Sequence, residues 1–300
     1  MKKITALMLS SAMMLSLAAC GGSASTETVS SEAASSEAAS SEAVSTEEAA
    51  SADAAAVTTV NAGKLTMSTN AAFPPYEMTT DNGDFEGIDI EVADAIAKKL
   101  GLELQVDDMD FDAALLAAQN GKSDMVMAGV TVTDERKEKV DFAKPYMKVA
   151  LGVVSPENAE ITDVSQLKGK TLIIAKGTTA ESYFEKNEPD VKLQKYDQYA
   201  DAYNALLDGR GDAFSTDNTE VLAWAKTNKG FKVGITKLGD EDTIAPAVQK
   251  GNKELLNWIN DEIVKLGKEN FFHKDYEETL KPVYGSDVDP NDIVVEGGEL

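Results

Sequence analysis

Four short stretches of this chain carry the residue types that grip a small charged molecule. The first runs Ala128-Gly129-Val130-Thr131-Val132-Thr133-Asp134-Glu135-Arg136. A strand ends there, a loop follows and a helix starts, so free backbone N–H groups and the Thr131 hydroxyl could meet an anion. Gly129 would let a ligand approach the backbone, and Arg136 can grip a carboxylate through two parallel hydrogen bonds. Arg136 could equally pair with a glutamate on its own helix. The second stretch ends in Asp217, at the carboxyl end of an apolar strand, where open α/β sheets place ligands. Asp217 could take an ammonium group or simply cap the following helix. The third, Asn70-Ala71-Ala72-Phe73-Pro74-Pro75-Tyr76-Glu77, is a proline-fixed turn that either presents an aromatic face or buries one. The fourth, Gly177-Thr178-Thr179, opens a helix and could donate to an anion, but it lacks the length and lysine of a nucleotide phosphate loop.

Alternating elements must position these groups. Strands are expected at Lys64–Ser68, Leu102–Val106, Met125–Ala128 and Val149–Val154, then again at Thr171–Ala175, Leu193–Tyr196, Ala213–Thr216 and Ala245–Gln249. Between them lie helical patterns. Ile88, Val92, Ile96 and Leu100 recur every four residues before Gly101, Asp112 reads as an N-cap and Thr133 as another. Leu255, Leu256, Ile259, Ile263 and Leu266 share one face of a long helix. Strand–helix alternation predicts an α/β protein with parallel sheets covered on both faces, and two successive sets predict two lobes. Residues 285–300 are polar and acidic without periodicity, which predicts a flexible tail.

Composition removes several classes of function. The net charge is −24, so nucleic acid is not an expected partner. One histidine, His273, and one cysteine, Cys20, rule out a His- or Cys-based metal cluster. Asp107, Asp108 and Asp110 lack the glycine and distal glutamate of a calcium loop and read as a solvated turn. No cofactor is expected.

The amino terminus is a different kind of sequence. Lys2 and Lys3 precede an apolar run from Ile4 to Leu17, which reads as a signal peptide over residues 1–19, too short for a membrane span. Leu17-Ala18-Ala19-Cys20 resembles the bacterial lipobox, which implies lipidation at Cys20 and a protein anchored on the outer face of the membrane. Residues 20–59 are dominated by Ser, Ala and Glu. Ser30–Ala34 repeats as Ser35–Ala39, with a near copy at Ser40–Val44. That stretch cannot bury enough surface to order itself, so it predicts a disordered spacer.

Together, at their spacings, the four stretches resemble the extracellular solute-binding proteins of polar amino acid ABC importers, family 3. The matching segments are Asn70–Glu77, Gly87–Leu100, Phe111–Asp124, Gly129–Tyr146, Leu167–Tyr183 and Leu207–Asp217. The resemblance implies the type II periplasmic-binding-protein fold. One lobe would comprise residues 60–148 plus 244–284 and the other 149–243, with two chain crossings as the hinge. It implies that Arg136 holds the ligand α-carboxylate, assisted by Thr131 and Thr179. Asp217 would take the α-ammonium, with the Gly129 carbonyl. Phe73 and Phe111 would enclose the side chain, with Asn70, Ala128 and Ala175 also at the site. Asn70 stands where binders of cationic amino acids often carry aspartate, and Ala175 where some glutamine binders carry lysine. A neutral polar or small apolar L-amino acid is therefore the expected ligand. The expected partners are ABC permease subunits and, through Cys20, the membrane; the expected location is the extracellular face of a bacterial cytoplasmic membrane, as in Gram-positive lipoproteins. The expectation is a binding protein and not an enzyme. Some relatives look like cyclohexadienyl dehydratases, and on that alternative Glu77 is the nearest general acid, although it is expected to face out of its turn.

Overall fold

The computed structural model describes residues 58–285 and 288–300. The expected signal peptide, Cys20 and nearly all of the Ser/Ala/Glu spacer lie outside the described residues. No helix among the described residues is long and apolar enough to cross a membrane.

In chain order, β1 (Lys64–Thr69) leads through a small antiparallel sheet, β2 (Ala72–Phe73), β3 (Glu77–Thr79) and β4 (Phe85–Glu86), to α1 (Ile88–Lys99). Next come β5 (Glu103–Asp108), α2 (Phe111–Gln119), β6 (Met125–Val126), α3 (Asp134–Lys137), β7 (Val140–Phe142) and the ten-residue β8 (Met147–Pro156). The second set is β9 (Thr171–Ala175), α4 (Thr179–Asn187), β10 (Lys192–Tyr196), α5 (Tyr199–Leu207), β11 (Ala213–Asp217), α6 (Asn218–Thr227) and β12 (Phe231–Ile244). Then β13 (Ala247–Gln249), α7 (Lys253–Lys268) and α8 (Phe271–Asp275) return to the first set, followed by α9 (Lys281–Tyr284) and α10 (Pro290–Ile293).

Two five-stranded sheets result, in the orders β5-β1-β6-β13-β7 and β10-β9-β11-β8-β12. Each is the floor of one lobe. The sheets are mixed, not purely parallel as expected. β13 runs antiparallel to β6 and β7, and β8 antiparallel to β11 and β12. The reason lies in the returning chain: β12 folds back along β8 over its whole length, from Phe231↔Pro156 to Ile244↔Met147, and re-enters the first sheet backwards as β13. Strands β8 and β12 thus lie side by side where the chain passes between lobes, which makes the two crossings one hinge ribbon.

The helices bury the faces their periodicity announced. On α7, Leu255, Leu256, Ile259, Ile263 and Leu266 are all buried. Each such side chain contributes about 1.5–3 kcal/mol of burial. Asn252 caps that helix by accepting from the Leu255 N–H at 3.3 Å. Thr133 caps α3 in the same way through the Arg136 N–H at 3.2 Å. Asp112 is not a cap: α2 begins at Phe111, with Asp110 at the N-cap position. Burying the Phe111 ring draws it into the first turn, and the helix starts earlier than the acidic pattern suggested.

The terminal segment also differs from expectation. Residues 293–295 form a short apolar run, Ile293-Val294-Val295, that is buried against the first lobe. Val294 bridges to Met147, and the Val295 N–H donates to the Tyr146 carbonyl at 2.9 Å. Glu296 accepts from the N–H groups of Phe272 and His273 at the start of α8 and from His273 Nδ1 at 2.6 Å. Three apolar side chains and a helix-end anion suffice to dock a segment whose overall composition reads as solvated.

Candidate functional site

Arg136 lies at the start of α3, one turn beyond the loop that leaves β6. Its Nη1 donates to the Thr131 carbonyl at 2.9 Å, which ties the side chain back over its own loop. Its Nη2 donates across the cleft to the Gly177 carbonyl of the second lobe at 3.0 Å. The guanidinium carbon stands 5.2 Å from the Phe111 ring centroid, a cation–π contact that fixes the plane of the fork. Glutamate pairing on its own helix does not occur: Glu135 pairs with Lys139 at 2.8 Å instead. Burial pulls the Arg136 pKa down, while Asp217 above all, then Tyr199, Glu135 and Asp112, pull it up.

Asp217 is the last residue of β11, 5% exposed, with its carboxylate facing the same cleft. It occupies the N-cap position of α6, yet its side chain makes no capping bond. Burial pushes its pKa up to about 7; the Arg136 guanidinium opposes that shift and Asp242 adds to it. A carboxylate held at a helix start without hydrogen bonds is costly unless something fills the space before it.

The cleft between the lobes has a volume of about 970 Å³. Thr131 and Arg136 line it from the first lobe, Thr179 and Asp217 from the second. These four of the ten expected ligand residues meet in one space. The other six are close by but enclosed. Phe111 lies beneath Arg136. Phe73 is buried, with its ring centroid 5.3 Å from that of Tyr76 and 4.7 Å from that of Tyr199. Gly129 sits against Phe73 with φ +57°, and a Cβ there would come 2.7 Å from the ring. Asn70 donates to the Met109 carbonyl at 2.8 Å. Ala128 and Ala175 are buried at the strand ends.

The fourth stretch singled out in the sequence gains a structural reason, and new wall residues join it. Gly177 is in the left-handed region (φ +72°), and a Cβ would lie 1.6 Å from Asp112 Oδ1, so glycine is required where α2 meets the turn into α4. Burial, then Glu181, raises the Asp112 pKa while Arg136 lowers it. Glu181 accepts from the Gly177 N–H at 2.6 Å and pairs with Lys195 at 2.5 Å, which orders this turn. Thr178 caps α4 through the Glu181 N–H at 3.2 Å. Hinge residues Leu151, Leu238 and Asp242 complete the wall. Only β12 brings Leu238 and Asp242 there, and its interrupted polar sequence gave no strand signal. Across the cleft, Tyr76 Oη and Thr219 Oγ1 lie 2.5 Å apart, and Gln198 donates to Asp110, so the lobes touch.

Glu77 was expected to face outward. It is 0% exposed instead, because β3 turns its side chain under α1, beside Asp89. It does not line the cleft. No group of three or more His, Cys, Asp or Glu among the described residues could hold a metal ion.

Comparison with known proteins agrees with this architecture. Residues 65–280 match the bacterial extracellular solute-binding proteins, family 3. The chain is 30% identical over 217 residues to the ABC transporter arginine-binding protein 1 of Escherichia coli (strain K12), covering 71% of this chain and 89% of that one. A crystal structure of the solute receptors for L-cysteine of Neisseria gonorrhoeae superposes with a TM-score of 0.77 at 45% identity, covering 80% of this chain and 100% of that one. An ancestral amino acid-binding protein, a precursor of cyclohexadienyl dehydratase, superposes with a TM-score of 0.68 at 31% identity, covering 73% and 96%. Two α/β lobes joined by a double-stranded hinge, and a match over most of the folded chain, lead to one conclusion: the chain belongs to the bacterial extracellular solute-binding proteins of family 3.

Proposed function

We propose that this protein captures a small neutral L-amino acid in the interlobe cleft and delivers it to an ABC importer. The observation that carries this reading is the unpaired, buried carboxylate of Asp217 facing the Arg136 guanidinium across the cleft. A free amino acid is a zwitterion. Enclosing it costs several kcal/mol per charge unless each end is paired. Arg136, with Thr131 and Thr179, takes the α-carboxylate, exchanging its hold on carbonyl oxygens for a charged acceptor. Asp217, ionised by the incoming cation, takes the α-ammonium with the Gly129 carbonyl. The two charges come from opposite lobes, so the ligand favours the closed form by differential contact. Phe111 and Phe73 form the apolar backing, with Asn70, Ala128 and Ala175 behind them.

Asn70 carries no charge, and its amide nitrogen donates to the Met109 carbonyl while its Oδ1 has no partner among the described residues; a cationic side chain there would meet a neutral acceptor and not a carboxylate, which favours a neutral ligand. The gonococcal L-cysteine receptor and the Escherichia coli arginine-binding protein mark the two ends of the range, and this reading places the chain near the first. The deciding experiment is a thermal-shift screen against the common L-amino acids and L-cystine. A small neutral amino acid at a hundred times its Kd should stabilise by about 2.7 kcal/mol. A response to arginine alone would refute the ligand class.

The same reading places the protein on the outer face of the membrane, lipidated at Cys20. Replacing Cys20 with alanine should move the protein from the membrane fraction to the medium. The enzyme alternative rests on the dehydratase precursor's likeness. The acid it would call on, Glu77, does not line the cleft. Aromatic product formed from prephenate or arogenate would reinstate it.

A further inference from the structure

Behind the cleft wall of the first lobe lies a buried acid pair that the binding site itself does not use. Asp89, at the start of α1, is 0% exposed. Its Oδ2 accepts the Gly129 N–H at 2.9 Å, and its Oδ1 accepts the Tyr146 hydroxyl. Glu77 lies beside it on β3, 0% exposed, and neither Glu77 oxygen has a hydrogen-bond partner among the described residues. Among the described residues, the titratable groups facing the pair are Asp108 on β5, Asp217 on β11, Asp275 on α8, and Tyr76 and Tyr146. None of these is a cation. Two carboxyls enclosed together without a cation cannot both ionise, so one of them holds a proton. Asp89 already receives two donors and is the better anion; Glu77 receives none and is the better acid.

The two donors to Asp89 come from distant parts of the working machinery. Gly129 is in the turn above the cleft, held at φ +57° with the Phe73 ring against it. Tyr146 immediately precedes hinge strand β8. Its N–H donates to the Ile244 carbonyl at the end of β12, and its carbonyl accepts from Val295. One carboxylate therefore touches both the ligand turn and the root of the hinge.

We propose that Glu77 and Asp89 form a positioning pair for amino-acid capture: Glu77 lends a proton to Asp89, and Asp89 locks the Gly129 turn to the base of hinge strand β8. The proposal rests on the binding function proposed above. It assigns Glu77 a donor's role, so an amide should replace it and an isosteric thioether should not. Burial pushes the Glu77 carboxyl well above the usual range, with Asp89 reinforcing the shift, and moves Asp89 to about 6, which agrees with that division.

The test uses the mature protein and, as probe, a mixture of the twenty common L-amino acids with L-cystine, and reads the half-saturating concentration fitted from the logarithmic rise of the melting temperature with concentration. Glu77→Gln should stay within about threefold of wild type. Glu77→Met, Asp89→Asn and Tyr146→Phe should each raise that concentration roughly tenfold or more, the weight of a hydrogen bond to a charged group. Arg136→Ala is the control for the binding reading. If it abolishes stabilisation while Glu77→Met and Asp89→Asn match wild type, the pair has no positioning role and the binding reading stands. If Glu77→Gln loses as much as Glu77→Met, the donor role is wrong. A purely structural pair would lower the ligand-free melting temperature of these variants while leaving the half-saturating concentration unchanged, and that result would also overturn the proposal. No stabilisation of the wild-type protein would remove the binding reading and this one together.

Discussion

The two walls of the cleft hold opposite charges in opposite states of readiness. On the first-lobe wall Arg136 is fully engaged: two carbonyl oxygens accept from its guanidinium and an aromatic ring lies beneath it. On the second-lobe wall Asp217 is more deeply enclosed and accepts from no donor among the described residues, and burial has pushed its pKa up to about 7. One wall is finished and also serves as a clasp between lobes. The other holds a carboxylate whose raised pKa a cation would bring down. A binding site can therefore keep its cation permanently useful to the fold while its anion costs the fold stability until a ligand arrives.

The contrast can be broken by mutation, and the largest effect belongs to the finished wall. Arg136→Ala removes the contact to Gly177 and, on the function proposed above, the partner of the ligand carboxylate. Calorimetry should show affinity lower by a hundredfold or more, given roughly 3–5 kcal/mol for one lost partner of a buried pair. Unchanged binding would dismantle the site. Asp217→Asn should lose binding nearly as severely, yet raise the melting temperature of the ligand-free protein at pH 8. The upper limit is about 4 kcal/mol, the linkage value of a carboxyl moved from 3.8 to about 7. Loss of both binding and stability would mean that Asp217 supports the fold.

A pH series sharpens the same contrast with an intermediate effect. Asp217 must be ionised to hold an ammonium group, so affinity should fall about tenfold per pH unit below 7, and Asp217→Asn should abolish that slope. Ligand-free stability should move the other way. Asp217, Asp275 and Asp89, raised to about 7, about 7 and about 6, bind protons in the folded state that the unfolded chain releases, so stability should rise as pH falls from 8 toward 5. Denaturant midpoints at four pH values decide it. The smallest effect is expected at Phe111→Leu, which removes the cation–π contact under Arg136. Affinity should weaken severalfold, in line with about 0.5–1 kcal/mol, and a variant that binds as tightly as wild type would show that the ring only fills space.

Much of this organisation was legible along the chain. The period-four pattern of α1 and the apolar face of α7 fixed those helices, since burying one face of a helix requires that spacing. Thr133 and Thr178 marked helix starts because capping is local chemistry. What failed was decided by distant contacts. Nothing in residues 231–244 has a strand's alternation; the fourteen residues of β12 form a strand because the ten-residue β8 lies beside them, and bulges absorb the mismatch in length. Glu77 follows a turn that reads as exposed, and only its place beneath α1 buries it. The terminal segment reads as solvated except for Ile293-Val294-Val295, and those three count only because Tyr146 and Met147 lie free to receive them.

By itself, the sequence determined the helices with a clear apolar face, most strands of both sheets, the two-lobed class and the candidates Arg136 and Asp217, because periodicity, capping and strand-end placement act over a few residues. The tertiary structure alone decided that four of the ten expected ligand residues share the cleft, that Asp217 faces it without a donor among the described residues, and that Asp89 accepts from both the Gly129 N–H and the Tyr146 hydroxyl. Burial and pairing depend on which distant chain segments close around a group, and no local pattern encodes that closure.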